Sequence, residues 1–107
     1  MASRTQQFQS LVAREPDNAL LRFSLGQALI ADGRLAEAVP HFEFCVASKA
    51  DWMMPRILLG KVLIQLGHPE EAKPLLADAL RLAVEQQHED PERELRALLA
   101  ELPAPNA

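Results

Sequence analysis

A repeat of 34 residues is the feature of this sequence that most limits the folds open to it. Residues 22–40 read RFSLGQALIADGRLAEAVP, and residues 56–74 read RILLGKVLIQLGHPEEAKP. Nine of these 19 aligned positions are identical, whereas unrelated segments of ordinary composition would share about one or two. All four glycines of the chain belong to the matched pairs. The two copies therefore predict the same local structure twice, arranged as a stacked array.

The spacing inside each copy predicts a pair of helices joined by a tight turn. Leu25 and Leu29 lie four residues apart, which places them on one buried helix face. Gly33 and Gly67 are expected to end the first helix of each copy as left-handed caps. Gly26 falls inside that helix, where glycine costs about 1 kcal/mol relative to alanine. A neighbouring helix that approaches closely would explain why glycine stands there.

This pattern resembles the tetratricopeptide repeat family, whose unit is a 34-residue helix–turn–helix. The shared positions are small or apolar: Leu25, Gly26, Leu29, Gly33, Ala38 and Phe42, then Leu59, Gly60, Leu63, Gly67, Ala72 and Leu76. Arg22 and Arg56 depart from the family, which has a bulky aromatic residue there. The resemblance implies an all-α fold, an antiparallel helix-hairpin solenoid of about six helices.

The whole chain, residues 1–107, is predicted to form a single domain. Its predicted segments are an N-terminal half-repeat helix at 3–15, repeat 1 at 18–50, repeat 2 at 52–87, a C-terminal capping helix at 91–102 and a frayed tail at 103–107. Asp17, Asp51 and Asp90 are the expected helix N-caps. Pro69 and Pro91 are expected as the first residues of their helices.

Charge and composition exclude several classes of function. Residues 1–84 hold nine basic and nine acidic side chains, so the net charge of −4 lies entirely in residues 85–107. Nucleic-acid binding would need a basic stripe, which is absent. No apolar run reaches the ~20 residues of a membrane span, and no signal peptide precedes the repeats. With a single cysteine, these features favour a cytoplasmic protein.

The sequence contains no motif for catalysis, a cofactor or a metal. It has no glycine-rich phosphate loop, no nucleophile elbow and no HExxH pair. His41, His68 and His88 lie in three separate segments, and none belongs to a CxxC or HxxxH pair. Cys45 occupies a small-residue position inside a hairpin and is expected to be buried and inert. We predict that the chain is not an enzyme and has neither catalytic residues nor a cofactor.

The family resemblance implies that the first helix of each hairpin lines a concave groove. The groove positions predicted to bind a partner are Leu20, Phe23, Gln27, Ile30, Met54, Ile57, Lys61 and Ile64. Most are apolar, which favours an apolar peptide or an amphipathic helix of another protein. The predicted function is a protein–protein interaction adaptor.

Three alternatives remain open at this point. The groove is filled by the chain's own end helices, or it is buried in a homodimer, which would make the chain a structural self-association module. The third alternative is a regulatory fragment of a larger repeat protein. The short length of the array, two repeats where about three are usual, favours either tight end helices or dimerisation.

Overall fold

The computed structural model describes residues 2–103, which form six α-helices and no strand. The helices are α1 (Arg4–Arg14), α2 (Ala19–Ala31), α3 (Leu35–Ser48), α4 (Met53–Gln65), α5 (Pro69–Glu85) and α6 (Glu89–Glu101). The predicted all-α, helix-hairpin fold is confirmed. Most of the predicted frayed tail, residues 104–107, lies outside the described residues.

The chain divides into two compact units, one ending at Ala50 and the other beginning at Asp51. In the first unit, α2 packs against both α1 and α3, and in the second unit α5 packs against both α4 and α6. Because the connections are only a few residues long, packed neighbours run antiparallel. Each unit thus holds one complete repeat hairpin and one flanking helix. The prediction that residues 1–107 act as a single domain stays a prediction.

The predicted N-cap of α2 was wrong by one residue. Asn18, and not Asp17, caps this helix, because its side-chain oxygen accepts a hydrogen bond from the Leu21 amide at 3.2 Å. Asp17 lies exposed in the preceding turn. Two adjacent side chains were both able to cap, and the sequence pattern alone did not separate them.

The predicted starts of α4 and α6 were also wrong, whereas that of α5 is confirmed. Trp52 rather than Asp51 is the N-cap of α4, and no side chain caps this helix. Helix α6 begins two residues earlier than predicted, which places Asp90 and Pro91 within its first turn. There the carboxylate is favoured by the helix dipole instead of serving as a cap. Pro69 is the first residue of α5.

The glycines behave as the repeat predicts. Gly33 and Gly67 have φ values of 74° and 87°, the left-handed conformation that ends the first helix of each hairpin. A Cβ atom added to Gly26 would lie 2.7 Å from Cζ of Phe42, and one added to Gly60 would lie 2.6 Å from Cδ2 of Leu76. The second helix of each hairpin therefore touches the first at its glycine.

The core of each unit is built from the repeated apolar positions. The buried residues at matching repeat positions are Leu25, Ala28, Leu29, Ala38, Phe42 and Cys45 in the first unit and Leu59, Val62, Leu63, Ala72, Leu76 and Ala79 in the second. Phe42 and Leu76 are fully buried, which stabilises the fold by about 1.5–3 kcal/mol for each such side chain.

The two arginines that depart from the family pattern act alike in the two units. Arg22 donates from Nε to the Pro16 carbonyl at 2.6 Å, and its guanidinium lies 4.4 Å from the centre of the Phe44 ring. Arg56 donates from Nη1 to the Trp52 carbonyl at 2.7 Å. Each arginine therefore fixes the segment that leads into the first helix of its hairpin.

Candidate partner-binding faces

The four predicted partner-binding residues of the first unit lie on one side of α2. Leu20, Phe23, Gln27 and Ile30, here called the α2 face, follow i, i+3, i+7 and i+10 spacing. Leu20 is 70% exposed, and Gln27 is also exposed. The opposite side of the helix holds the buried Leu25 and Leu29. Helix α2 is therefore apolar on two sides, only one of which is fully covered.

Phe23 serves the core as well as the α2 face. Its ring meets the fully buried Phe42 ring edge-on, with 5.9 Å between centroids and 74° between planes. This geometry is favourable for an aromatic pair. Phe23 and Ile30 are half-buried, so each offers a partner only part of its surface.

The four predicted residues of the second unit lie on one side of α4. Met54, Ile57, Lys61 and Ile64 are here called the α4 face, and they differ widely in exposure. Met54 is 41% exposed, whereas Ile57 is only 5% exposed. Lys61 and Ile64 are half-buried. A partner would therefore meet mainly Met54, Ile64 and the Lys61 ammonium.

Helix α6 contacts the α4 face through a side-chain pair that was not predicted from the sequence, although cover by an end helix was one of the alternatives left open. The Lys61 ammonium forms an ion pair with the Glu94 carboxylate of α6, and both side chains are about half exposed. Leu95, the neighbour of Glu94, is fully buried and anchors α6. The acidic excess of residues 85–107 was visible in the sequence, but no repeat position pointed to Glu94 as the partner of Lys61.

A second contact absent from the sequence prediction fixes α1. Thr5 is buried, and its Oγ1 donates to Oδ2 of Asp32 at 2.6 Å. Asp32 is the residue that ends α2. The start of α1 is therefore attached to the end of α2, consistent with their antiparallel packing.

Two titratable groups of the first hairpin have shifted pKa values. The Cys45 thiol is buried and donates to the Ala19 carbonyl at 3.3 Å, and burial raises the pKa of this thiol to about 11. Burial, together with the positive charge of Arg22, lowers the pKa of His41. The raised pKa disfavours the nucleophilic thiolate of Cys45, and the lowered pKa favours the neutral imidazole of His41.

Among residues 2–103, no group of three histidine, cysteine, aspartate or glutamate side chains lies close enough to hold a metal ion. No helix in this range is long and apolar enough to cross a membrane.

Comparison with known proteins adds one finding. Two sequence models described as the tetratricopeptide repeat match the chain, one over residues 6–43 and the other over residues 53–78. The first match extends from α1 through most of α3, and the second covers α4 and more than half of α5. No curated protein matches the chain.

Proposed function

Because this chain belongs to the tetratricopeptide repeat family, we propose that it is an adaptor that binds an apolar peptide or helix of another protein. Repeats of this family are generally protein–protein interaction motifs and typically non-enzymatic scaffolds. The proposed contact surfaces are the α2 face and the α4 face.

One observation carries this proposal. In each unit, the first helix of the hairpin presents an apolar side chain to solvent on the side away from its two buried repeat leucines, which are Leu25 and Leu29 in α2 and Leu59 and Leu63 in α4. Leu20 does so on the α2 face and Met54 on the α4 face. Exposed apolar side chains grouped with half-buried ones are typical of a surface that docks a partner.

The polar residues of the two faces suit this role. Gln27 in the first unit and Lys61 in the second can donate hydrogen bonds to backbone carbonyls of a bound segment. Apolar contact would supply the affinity, while these donors would fix the position of the bound chain.

Exposed residues give the sharpest test, because substituting Phe23 or Ile57 would also disturb the core. The variants are Leu20→Asp and Met54→Asp, each compared with an equivalent substitution elsewhere in the same unit. Leu11→Asp on α1 and Val84→Asp on α5 serve as these controls, since both residues are exposed and apolar. Affinity capture from a lysate of the source cells, followed by mass spectrometry, gives the proteins that each variant retains.

We expect a protein that the wild-type chain, Leu11→Asp and Val84→Asp retain and that Leu20→Asp or Met54→Asp loses. Circular dichroism must show the same helicity in all five proteins. If every captured protein is retained equally by the face variants and the controls, the two faces are not the binding surface. A loss of helicity in Leu20→Asp would instead assign that residue to the core.

A further inference from the structure

We propose that the second unit selects a basic amphipathic segment, with apolar side chains of the partner on the α4 face and its cations against carboxylates of α6. This inference rests on the proposed function and specifies the chemistry of the partner that the α4 face takes. Three observations support it: the position of the carboxylates, their availability and the distribution of charge along the chain.

Three of the five carboxylates of α6 share one side of that helix, which is turned toward α4. Asp90, Glu94 and Glu101, here called the acidic side of α6, follow i, i+4 and i+11 spacing, which places them in one row. The ion pair between Lys61 and Glu94 fixes the direction of this row, because it joins the acidic side of α6 to the α4 face.

The acidic side of α6 runs parallel to the α4 face. Helices α4 and α6 both pack antiparallel to α5, so they run in the same direction. The ion pair that joins them connects Lys61, the ninth residue of α4, to Glu94, the sixth residue of α6. A segment lying on the α4 face would therefore have Glu94 beside it at the level of Lys61, with Asp90 about one helical turn before that level and Glu101 about two turns after it.

These carboxylates are available to a partner. The Asp90 side chain is 95% exposed, and its contact with the 80% exposed Arg93 is 3.9 Å long, a geometry that contributes little. The pair between Lys61 and Glu94 is itself half exposed, so a cation of the partner can share Glu94. An acidic segment bound on the α4 face would be repelled by the carboxylates of the acidic side of α6.

The net charge of the chain favours the same partner. Residues 51–107 hold ten acidic and six basic side chains, and residues 1–50 hold five of each. The second unit thus has a charge of −4, whereas the first is neutral. A field of this sign attracts basic segments over distances of about the Debye length, ~10 Å at 0.1 M salt.

Three synthetic helical peptides test this inference on the full chain. The first has leucines at i, i+3, i+4 and i+7 with lysines along the flank. The second has glutamates in place of the lysines, and the third keeps the lysines but has alanines in place of the leucines. Fluorescence anisotropy gives the Kd of each peptide at low and high salt, about 50 and 500 mM NaCl.

Two double variants isolate the acidic side of α6. Asp90→Asn with Glu101→Gln removes two charges from the row and leaves Glu94 paired with Lys61. The control, Glu71→Gln with Asp78→Asn, removes two exposed charges from α5 and gives the same net charge. Any difference between the two variants therefore reports position and not total charge.

We expect the lysine–leucine peptide to bind at least about tenfold more tightly than the glutamate version at low salt, and the difference to shrink at high salt. The Asp90→Asn, Glu101→Gln variant should weaken its binding about fivefold, and the control variant less than twofold. Met54→Asp should weaken binding in every salt condition.

Other outcomes separate this inference from the proposed function. Equal binding of the lysine and glutamate peptides, lost in Met54→Asp, would overturn the basic-partner inference and leave the α4 face as a docking surface. Equal loss of peptide affinity in the two charge variants would show that total charge, and not the position of the carboxylates, governs binding, and it would overturn the inference. Undiminished binding of the alanine peptide would show that apolar contact is not needed, which would also overturn the inference. Failure of all three peptides to bind would overturn it as well, while the capture experiment on Leu20 and Met54 tests the proposed function independently.

Discussion

Phe42 lies so close to Gly26 that a methyl group on the glycine would be 2.7 Å from the Cζ atom of the ring. Alanine at a helical position gains about 1 kcal/mol over glycine, but overpacking a tight core costs about 1–3 kcal/mol. Phe42 is fully buried, and a side chain in a close-packed interior moves only by displacing its neighbours. We expect Gly26→Ala to lower the free energy of unfolding by about 1 kcal/mol, measured by urea titration with circular dichroism.

The same substitution elsewhere provides the comparison. Gly60→Ala should destabilise the second unit similarly, because its added Cβ would lie 2.6 Å from Leu76. Gln27→Ala, next to Gly26 but exposed, should change the free energy of unfolding by less than about 0.5 kcal/mol. A more stable Gly26→Ala protein would show that the helix contact relaxes without cost.

Leu95 is expected to hold α6 in place. It is the one fully buried side chain among the described residues of that helix. Leu95→Ala should cost about 2–4 kcal/mol, as truncations of buried leucines do. Because α6 has few other buried contacts, the loss should appear first as faster hydrogen exchange of its amides.

Two variants of the same helix test whether Leu95 is the anchor. Leu98→Ala, at a half-buried position, should have a smaller effect on exchange. Glu94→Gln should cost only about 0.2–1 kcal/mol, because its pair with Lys61 is half exposed. Equal acceleration in all three variants would contradict the anchoring role of Leu95.

Much of this fold could be predicted from the repeat, because the glycines and large apolar residues that define it contact each other within one hairpin. Gly26 and Phe42 lie 16 residues apart in one hairpin, and their contact recurs at Gly60 and Leu76. A contact that is made in every repeat requires the same residue types at a fixed period, so it can be recognised in the sequence. The all-α architecture and the left-handed Gly33 and Gly67 followed directly.

The contacts of the flanking helices could not be predicted in the same way. The ion pair between Lys61 and Glu94 spans 33 residues, and the hydrogen bond between Thr5 and Asp32 spans 27. Neither contact recurs in the other unit, so no periodicity marks it. The exposure of the candidate faces also depends on packing, which is why Ile57 is buried and Leu20 is not.

His41 is expected to make the stability of the first unit depend on pH. Its Nδ1 atom is buried without a hydrogen-bond partner among the described residues, and burial is the main cause that lowers its pKa below the ordinary 6.5. The unfolded chain therefore takes up a proton near pH 6.5 while the folded chain does not. The free energy of unfolding should be constant with respect to this group above that pH and fall as the pH decreases toward the folded pKa.

Urea titrations monitored by circular dichroism between pH 7.5 and about 4.5 measure this effect. Carboxylates also titrate near the lower end of that range, so the comparison with His41→Gln is the informative one. The difference in stability between wild type and His41→Gln should change between pH 7 and 5.5. A difference that is constant over that interval would show that His41 takes up its proton equally in both states.

Cys45 should react only when the first unit opens. Burial raises the pKa of its thiol from 9.0 to about 11, which by itself lowers the thiolate fraction at pH 8 about a hundredfold. The sulfur is also inaccessible to reagents. Labelling with a thiol reagent at pH 8 should therefore be more than a hundredfold slower in buffer than in concentrated urea. Rapid labelling in buffer would contradict the buried position of this residue.

The proposed adaptor function requires the α2 face and the α4 face to be free in solution, and this predicts a monomer. Light scattering across a dilution series should give a constant mass near the 11.9 kDa of one chain. If the chain were a self-association module, Leu20, as its most exposed large apolar side chain in the described range, would be the first candidate for the contact. A dimer that persists on dilution and dissociates in Leu20→Asp but not in Leu11→Asp would assign the α2 face to a second copy of the chain. The adaptor proposal would then be confined to the α4 face, where the peptide series tests it separately.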